Sequence, residues 1–303
     1  MKNLDFLTGL RHDDFNVEVD FAVPDFLVKN MVTVIYANGG SGKSWLAAAV
    51  AKYAQIFNER FTGGMDVVYI DMDNGVLTLK ERGINVKLIN NSERLIYVSG
   101  EKLDIDAQSL MEQIELQATG KNYKDTLFII DSLRDLGDVK SDAAAMRIGD
   151  FLKRIRNASG TVLALHHSTK NGAGYDGSNN LRNSVDNMFK LTKVDADVGE
   201  LRFLLEVDKA RVSLGDLGLR VFVDDLELSH LQLDEVKLSP EDKDFIKKIE
   251  EALEVHVELN KTALLDAVGY KKDDKTARVR LDRFDGIHWK SEKVKGVYTY
   301  SLV

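Results

Sequence analysis

The stretch Ala37-Asn38-Gly39-Gly40-Ser41-Gly42-Lys43-Ser44 constrains the fold more than any other part of the chain. Thr33-Val34-Ile35-Tyr36 before it reads as a buried strand, and Trp45-Leu46-Ala47-Ala48-Ala49-Val50-Ala51 after it as the start of a strong helix. A glycine loop between a strand and a helix gathers successive backbone N–H groups into one concavity, and the helix N-terminus adds partial positive charge. A lysine at the helix mouth then reaches the β- and γ-phosphates of a nucleotide, and the hydroxyl after it reaches Mg²⁺. The pattern G-x-x-x-x-G-K-[ST] is met except at its first position, where Ala37 stands. Alanine there requires only an ordinary φ, and the backbone-exposing glycines Gly39, Gly40 and Gly42 are all present. A bare turn would not need Gly-Lys-Ser at the helix mouth. Asn38, Gly39, Gly40, Ser41, Gly42, Lys43, Ser44 and Trp45 are therefore the expected ATP-binding residues.

The 303 residues suffice for one large α/β domain and a small appended one. The absence of cysteine excludes disulfides, thiolate zinc sites and cysteine nucleophiles. Met1-Lys2-Asn3-Leu4-Asp5 carries an early acid and no long apolar run, so no signal peptide is expected. No apolar stretch is long enough to span a bilayer, and a cytoplasmic protein without a membrane partner is expected. A net charge of −8 argues against a globally basic nucleic-acid coat while leaving room for local basic patches. The two prolines, Pro24 and Pro240, fall close to the expected boundaries. These are a lead-in over 1–30, a core over 31–225, an acidic linker over 226–240 and a second domain over 241–303.

Within the core, Asp66-Val67-Val68-Tyr69-Ile70-Asp71-Met72-Asp73 reads as a second buried strand closing on acids. Ligands of open α/β sheets bind where the strands end, so these acids face the nucleotide. Asp73 is the candidate to orient or deprotonate the attacking water, with Asp71 as the fallback. Leu127-Phe128-Ile129-Ile130-Asp131 has no polar residue until its end, the pattern of a strand covered on both faces. Asp131 is placed to reach the water shell of Mg²⁺ together with Ser44. Thr161 to His167 forms a fourth buried strand ending in His166-His167. Adjacent strand residues point to opposite faces, which disfavours shared zinc ligation, and His167 is the candidate contact to the γ-phosphate. Residues 168–178 form a long, glycine-rich loop of the kind that carries function. In Val207-Asp208-Lys209-Ala210-Arg211, strand periodicity would turn Lys209 and Arg211 to one face, offering two cations side by side to one anion.

The segment after Pro240 contains three helical stretches, over 241–255, 260–269 and 274–284, followed by two alternating strands about Lys295-Gly296. This is a winged-helix pattern. From 260 to 295 ten Lys or Arg stand against six Asp or Glu, so this part is locally positive on an acidic chain. Winged helices dock proteins as well as DNA.

Together, residues from about 20 to 225 resemble the RecA-like ATPase core, in the branch of hexameric helicases typified by plasmid RepA and replicative DnaB. The likeness rests on Gly39 to Ser44, Asp71-Met72-Asp73-Asn74, Asp131-Ser132, His166-His167 with Lys170, the stretch from Gly177-Ser178 to Asp186, and Lys209-Ala210-Arg211. It implies a mainly parallel central sheet and a homo-oligomeric ring, hexameric in that branch. It makes Arg211 a finger reaching the neighbour's ATP site, with Lys209 as its partner, alongside Lys43, Asp73 and His167 as catalytic residues. Asp73 replaces the family's usual glutamate and is one methylene shorter. The loops after Asp131 and His167 would line a central channel, with Lys170 and Arg182 contacting single-stranded DNA. The expected function is a Mg²⁺-dependent ATPase that moves along or unwinds DNA in mobile-element replication or repair. Its rival is a RecA-like switch that docks a protein partner through the winged helix, and a metabolic kinase is a distant third.

Overall fold

The computed structural model describes residues 9–56, 64–90, 92–170, 172, 174–256, 258–294 and 296–303. The first eight residues of the expected lead-in, with the start of the chain read against a signal peptide, lie outside them, as does Lys295 of the expected hairpin turn. The chain divides into two compact units, Met1–Leu233 and Asp234–Val303.

In the first unit a small antiparallel hairpin, β1 (Phe21–Val23) and β2 (Leu27–Val28), leads into β3 (Val32–Ala37) and α1 (Lys43–Gln55). There follow β4 (Asp66–Asp71), α2 (Val76–Glu81), β5 (Leu95–Ser99), α3 (Ala107–Gln117), β6 (Thr126–Asp131), α4 (Asp142–Asn157), β7 (Thr161–His167) and α5 (Asn179–Ser184). The unit is completed by β8 (Asn187–Val194), β9 (Glu200–Lys209), β10 (Leu217–Phe222) and β11 (Leu228–Leu231). One nine-stranded sheet runs β11-β10-β9-β8-β3-β7-β6-β4-β5. The six strands from β8 to β5 are parallel, and β9, β10 and β11 are added antiparallel beyond β8.

The apolar runs in the strands exist because each face has its own cover. Ile35, Val67, Tyr69, Leu127, Ile129 and Leu163 pack with the alanine-rich side of α1 in one core. Val34, Ile70, Phe128, Ile130, Val162 and Ala164 pack in a second core with Ile148, Phe151, Leu152 and Ile155 of α4, whose spacing matches one helical face. Leu110 and Ile114 of α3 pack onto this second core, while the buried residue of that helix is Met111. Strands alternate faces every residue, so a strand sandwiched this way has no place for a polar side chain except where it stops. All six parallel strands stop at the same edge. There Asp71 and Asp131 are register partners, and Ala37 lies beside His167.

The segment 226–240, expected as a linker, is not a plain connection. Leu226 and Leu228 are buried in the first core, β11 extends the sheet by pairing with β10, and α6 (Leu233–Lys237) follows. The acids around these leucines, Asp224, Asp225 and Glu227, stay at the surface, which is why the segment reads as polar.

The second unit contains α7 (Pro240–His256), β12 (Leu259–Asn260), α8 (Lys261–Ala267), α9 (Lys275–Arg283), β13 (Trp289–Val294) and β14 (Val297–Leu302), with the strands in the antiparallel order β12-β14-β13. Asn260 and Asp274 cap α8 and α9 by accepting from the N–H groups of Ala263 and Ala277 at 2.9 and 3.0 Å. Trp289 is fully buried with Phe245, Ile249, Leu264 and Leu281, and its Nε1 donates to the Leu281 carbonyl at 3.1 Å. The acid Asp242 is buried too, paired with Arg280 at 2.7 Å and Arg283 at 3.2 Å.

In the first unit a buried acid paired in the same way is Asp186, between α5 and β8. Its carboxylate accepts from the Val32 N–H at 2.9 Å and from Arg156 Nη1 at 2.9 Å, tying the start of the central strand to α4. Asp186→Ala would leave both donors without their acceptor, at a cost of about 3 kcal/mol. A urea denaturation midpoint unchanged by this substitution would show that the carboxylate carries no such load.

Candidate nucleotide site

The loop between β3 and α1 is shaped by its glycines. Gly40 and Gly42 have φ of 73° and 91°, the left-handed region that a side chain resists. A Cβ on Gly42 would also stand 2.9 Å from the ring of Phe203 on β9. Ala37 is the last residue of β3, in ordinary extended backbone, so the missing first glycine costs the loop nothing. Lys43 opens α1 and is buried, with Nζ donating to the carbonyls of Ala37 at 3.1 Å and Asn38 at 2.9 Å. Burial pulls its pKa below the ordinary lysine value, and the nearby Asp131 works against that shift.

A cleft of 210 Å³ opens in front of this loop, with Ser44, Asp73, Asp131 and His167 in its wall together with Lys43. Asp131 is buried and its carboxylate pKa is pushed up to about 6, chiefly by burial. A hydrogen bond from the Ser44 side chain opposes the shift, while Asp71 and Asp73 reinforce it. Hydroxyl and carboxylate oxygens held together in this way are the hard donors that Mg²⁺ takes alongside substrate phosphates, so Ser44 and Asp131 fit that ion.

The two candidate acids after β4 have separate situations. Asp71 is buried and used up: it accepts from Tyr97 Oη at 2.6 Å, the Asn74 N–H at 2.9 Å and the Asp73 N–H at 3.1 Å. It shapes the turn that carries Asp73 and does not line the cleft; Asp73 does. The histidines also part company. His166 is buried with Nε2 2.7 Å from the Asp176 carbonyl, and burial pushes its pKa down to about 4. His167 faces the cleft, its pKa lowered by partial burial and then by Lys43 and Arg134. It therefore stands neutral above the ordinary histidine value, able to donate or accept.

The cation pair departs from expectation. Strand β9 ends at Lys209, so Arg211 lies beyond it and strand periodicity does not govern the two side chains. Lys209 Nζ donates to the carbonyls of Arg182 and Val185, both at 2.7 Å, closing the C-terminal end of α5. Arg211 is half exposed, 3.5 Å from the Asp186 carboxylate and 3.4 Å from the Asn183 carbonyl. The pair is not offered side by side to an open anion site, because carbonyls and a carboxylate take it first. Arg182 is likewise engaged, with Nη2 3.0 Å from Asp208, whereas Lys170 is exposed in the loop after β7. Neither belongs to the cleft around Lys43.

Two residues of the cleft region carried no motif: Arg82 lines it, and Arg134 pairs with Asp73. Asn74, from the Asp71-Met72-Asp73-Asn74 stretch, lines it as well. The one signal available for Arg134 was its place three residues after the acid that closes β6. Nearby, Trp45 lies under Lys87, whose Nζ is 5.3 Å from the ring centroid.

Residues 14–173, just over half of the chain, match the family model described as an AAA domain. No curated protein matches the chain.

Two outcomes follow from this geometry. Lys43→Ala removes the buried cation of the loop, so binding of a fluorescent ATP analogue should be lost; retained binding would remove the loop from the site. His166 titrates near 6.5 in the unfolded chain but only near 4 when folded, so the unfolded state gains its proton first and stability is lost as pH falls through that window. The urea midpoint should drop less between about pH 7.5 and about pH 5 in His166→Gln than in the unsubstituted chain.

Proposed function

The chain belongs to the AAA-domain family and is an ATPase of the P-loop type, and from that premise we propose that it works as a RecA-like ring, hexameric as in the branch it resembles, that moves along or unwinds DNA. The observation that supports a ring is the position of Arg211. It is half exposed, lies outside the cleft around Lys43, and among the described residues its guanidinium makes contacts at 3.4 and 3.5 Å. The guanidinium is itself half exposed and its contact to the buried Asp186 carboxylate is long, so in this reading it exchanges that contact for another subunit's nucleotide.

In this reading Lys43 and the loop N–H groups hold the β- and γ-phosphates. Asp73 orients the attacking water and takes its proton as the new P–O bond forms and the bond from the γ-phosphorus to the bridging oxygen breaks, releasing ADP, and neutral His167 hydrogen-bonds the γ-phosphate. The neighbour's Arg211 offsets the charge that develops on the transferred group. Lys209 fixes the end of α5 beside it. Ser44 and Asp131 hold Mg²⁺, which when bound neutralises phosphate charge. Lys170, exposed in the loop that follows His167, is the first phosphate contact for single-stranded DNA, and Arg182 joins it only by leaving Asp208.

A second reading, the protein-docking switch, is favoured by one feature of the second unit, which we take as winged-helix-like. Of the cations Lys275, Arg278, Arg280 and Arg283 on α9, three are engaged internally: Arg280 and Arg283 on Asp242, and Arg278 Nε on the Lys272 carbonyl at 3.0 Å. Val279 on the same helix is exposed. Such a helix offers less charge to a phosphate backbone than its composition implies.

Steady-state ATPase measured with and without single-stranded DNA at two salt concentrations separates the readings. A motor is stimulated, and the stimulation weakens as salt rises. Turnover indifferent to DNA would favour the switch. Arg211→Ala should keep ATP binding and lose turnover, and mixing it with Asp73→Ala should restore part of the rate if the finger acts between subunits. A mixture as inactive as its components would count against the ring.

A further inference from the structure

Asp73 is a cleft residue whose carboxylate is held by a partner outside every motif. Its backbone N–H is held by Asp71 at 3.1 Å, and the neighbouring Met72 N–H donates to the Asp131 carbonyl at 2.7 Å. These bonds fix where the side chain starts but not where the carboxylate goes. That is set by Arg134, whose Nη2 lies 2.5 Å from Asp73 Oδ1.

Arg134 is itself carried on a fixed mount. It lies in the single 3₁₀ turn Leu133–Leu136 that directly follows Ser132 at the end of β6. Leu133 and Leu136 are buried in the second core, and Ser132 Oγ donates to Asp135 Oδ2 at 2.7 Å while the Ser132 N–H reaches the same carboxylate at 3.4 Å. The other oxygen of Asp135 stands 3.7 Å from Arg134 Nε, bracing the guanidinium from behind. A chain of contacts thus runs from the apolar core through Asp135 and Arg134 to the carboxylate.

We propose that Arg134 is a positioning residue that aims the Asp73 carboxylate at the attacking water, so that the shorter acid works where a longer one would reach unaided. The inference rests on Asp73 being the water-orienting group. Both partners are partly exposed, at 49% for Arg134 and 36% for Asp73, so their pair adds little to fold stability. Its value is geometric. A carboxylate released to its other rotamers is displaced by an ångström or more from the reacting atoms, and a displacement of that size costs about a hundredfold in rate. Nucleotide binding, which falls to Lys43 and the loop, does not depend on it.

The test is steady-state ATPase of Arg134→Ala, Arg134→Gln and Arg134→Lys in the full chain, each also combined with Asp73→Asn. The expected result is a kcat about 10- to 100-fold lower for Ala and Gln with KM changed less than about twofold, and partial recovery with Lys. In the Asp73→Asn background the same Arg134 substitutions should cost nothing further, since their effect passes through the carboxylate. An equal loss in both backgrounds would overturn the proposal and make Arg134 a direct contact to phosphate. A raised kcat would overturn it in the other direction, with the pair acting as a restraint. Unchanged kcat in Arg134→Ala, with Asp73→Asn impaired, sinks the inference alone. Unchanged kcat in Asp73→Asn itself sinks the prior assignment of Asp73. Should the alanine variant fail to fold, the glutamine and lysine variants carry the same comparison.

Discussion

A parallel sheet covered on both faces can place polar side chains only where its strands end. The acids and the histidine of the nucleotide cleft follow from this. β3 hands the chain to the glycine loop, β4 to the turn of Asp71 and Asp73, β6 to Asp131, and β7 to His167. Because β4 and β6 are neighbours in register, two carboxylates arrive side by side, and burial, reinforced by their mutual field, holds Asp131 above the ordinary carboxylate range. The protein meets that crowding with hydroxyls. Ser44 donates to Asp131, Tyr97 to Asp71, and Tyr69 stacks on Tyr97 at 4.6 Å while its own hydroxyl approaches Asp131 at 3.4 Å.

The same crowding divides labour between two acids that sequence spacing leaves equivalent. Asp71 faces inward and spends its oxygens on the turn; Asp73, two residues on, faces the cleft. The histidines of β7 are divided in the same way by the pleat: one is a neutral structural group among aromatic neighbours Tyr175 and His167, the other borders the cleft. In each pair one member shapes the local backbone so that the other can be presented.

The central architecture was legible because its signals are local and periodic. Uninterrupted apolar runs of four residues closing on Asp71, Asp131 or His166-His167 leave few alternatives once a phosphate-type loop follows the strand before them. What escaped depended on partners distant in sequence. β11 is four residues long, and the burial of Leu226 and Leu228 among acids is decided by a neighbouring strand. The direction of Lys209 is set by the open carbonyls of α5, more than twenty residues earlier. Arg134 belongs to no pattern, and its meaning arises only from the 61 residues that separate it from Asp73 being folded back on themselves.

The antiparallel extension looks at first like an addition to the side of a finished core. The ring of Phe203 contradicts this, since it occupies the space beside Gly42 that a side chain would otherwise fill. The phosphate loop is therefore a two-sided cast, with strand and helix on one side and β9 on the other. Shortening the protein after β7 would remove β8 from the flank of β3, take Asp186 from the Val32 N–H and leave the left-handed turn at Gly42 without its backing. For anyone dissecting the chain into minimal pieces, the smallest piece able to keep the loop in shape ends no earlier than the strand that bears Phe203, far downstream of the last residue that touches the cleft.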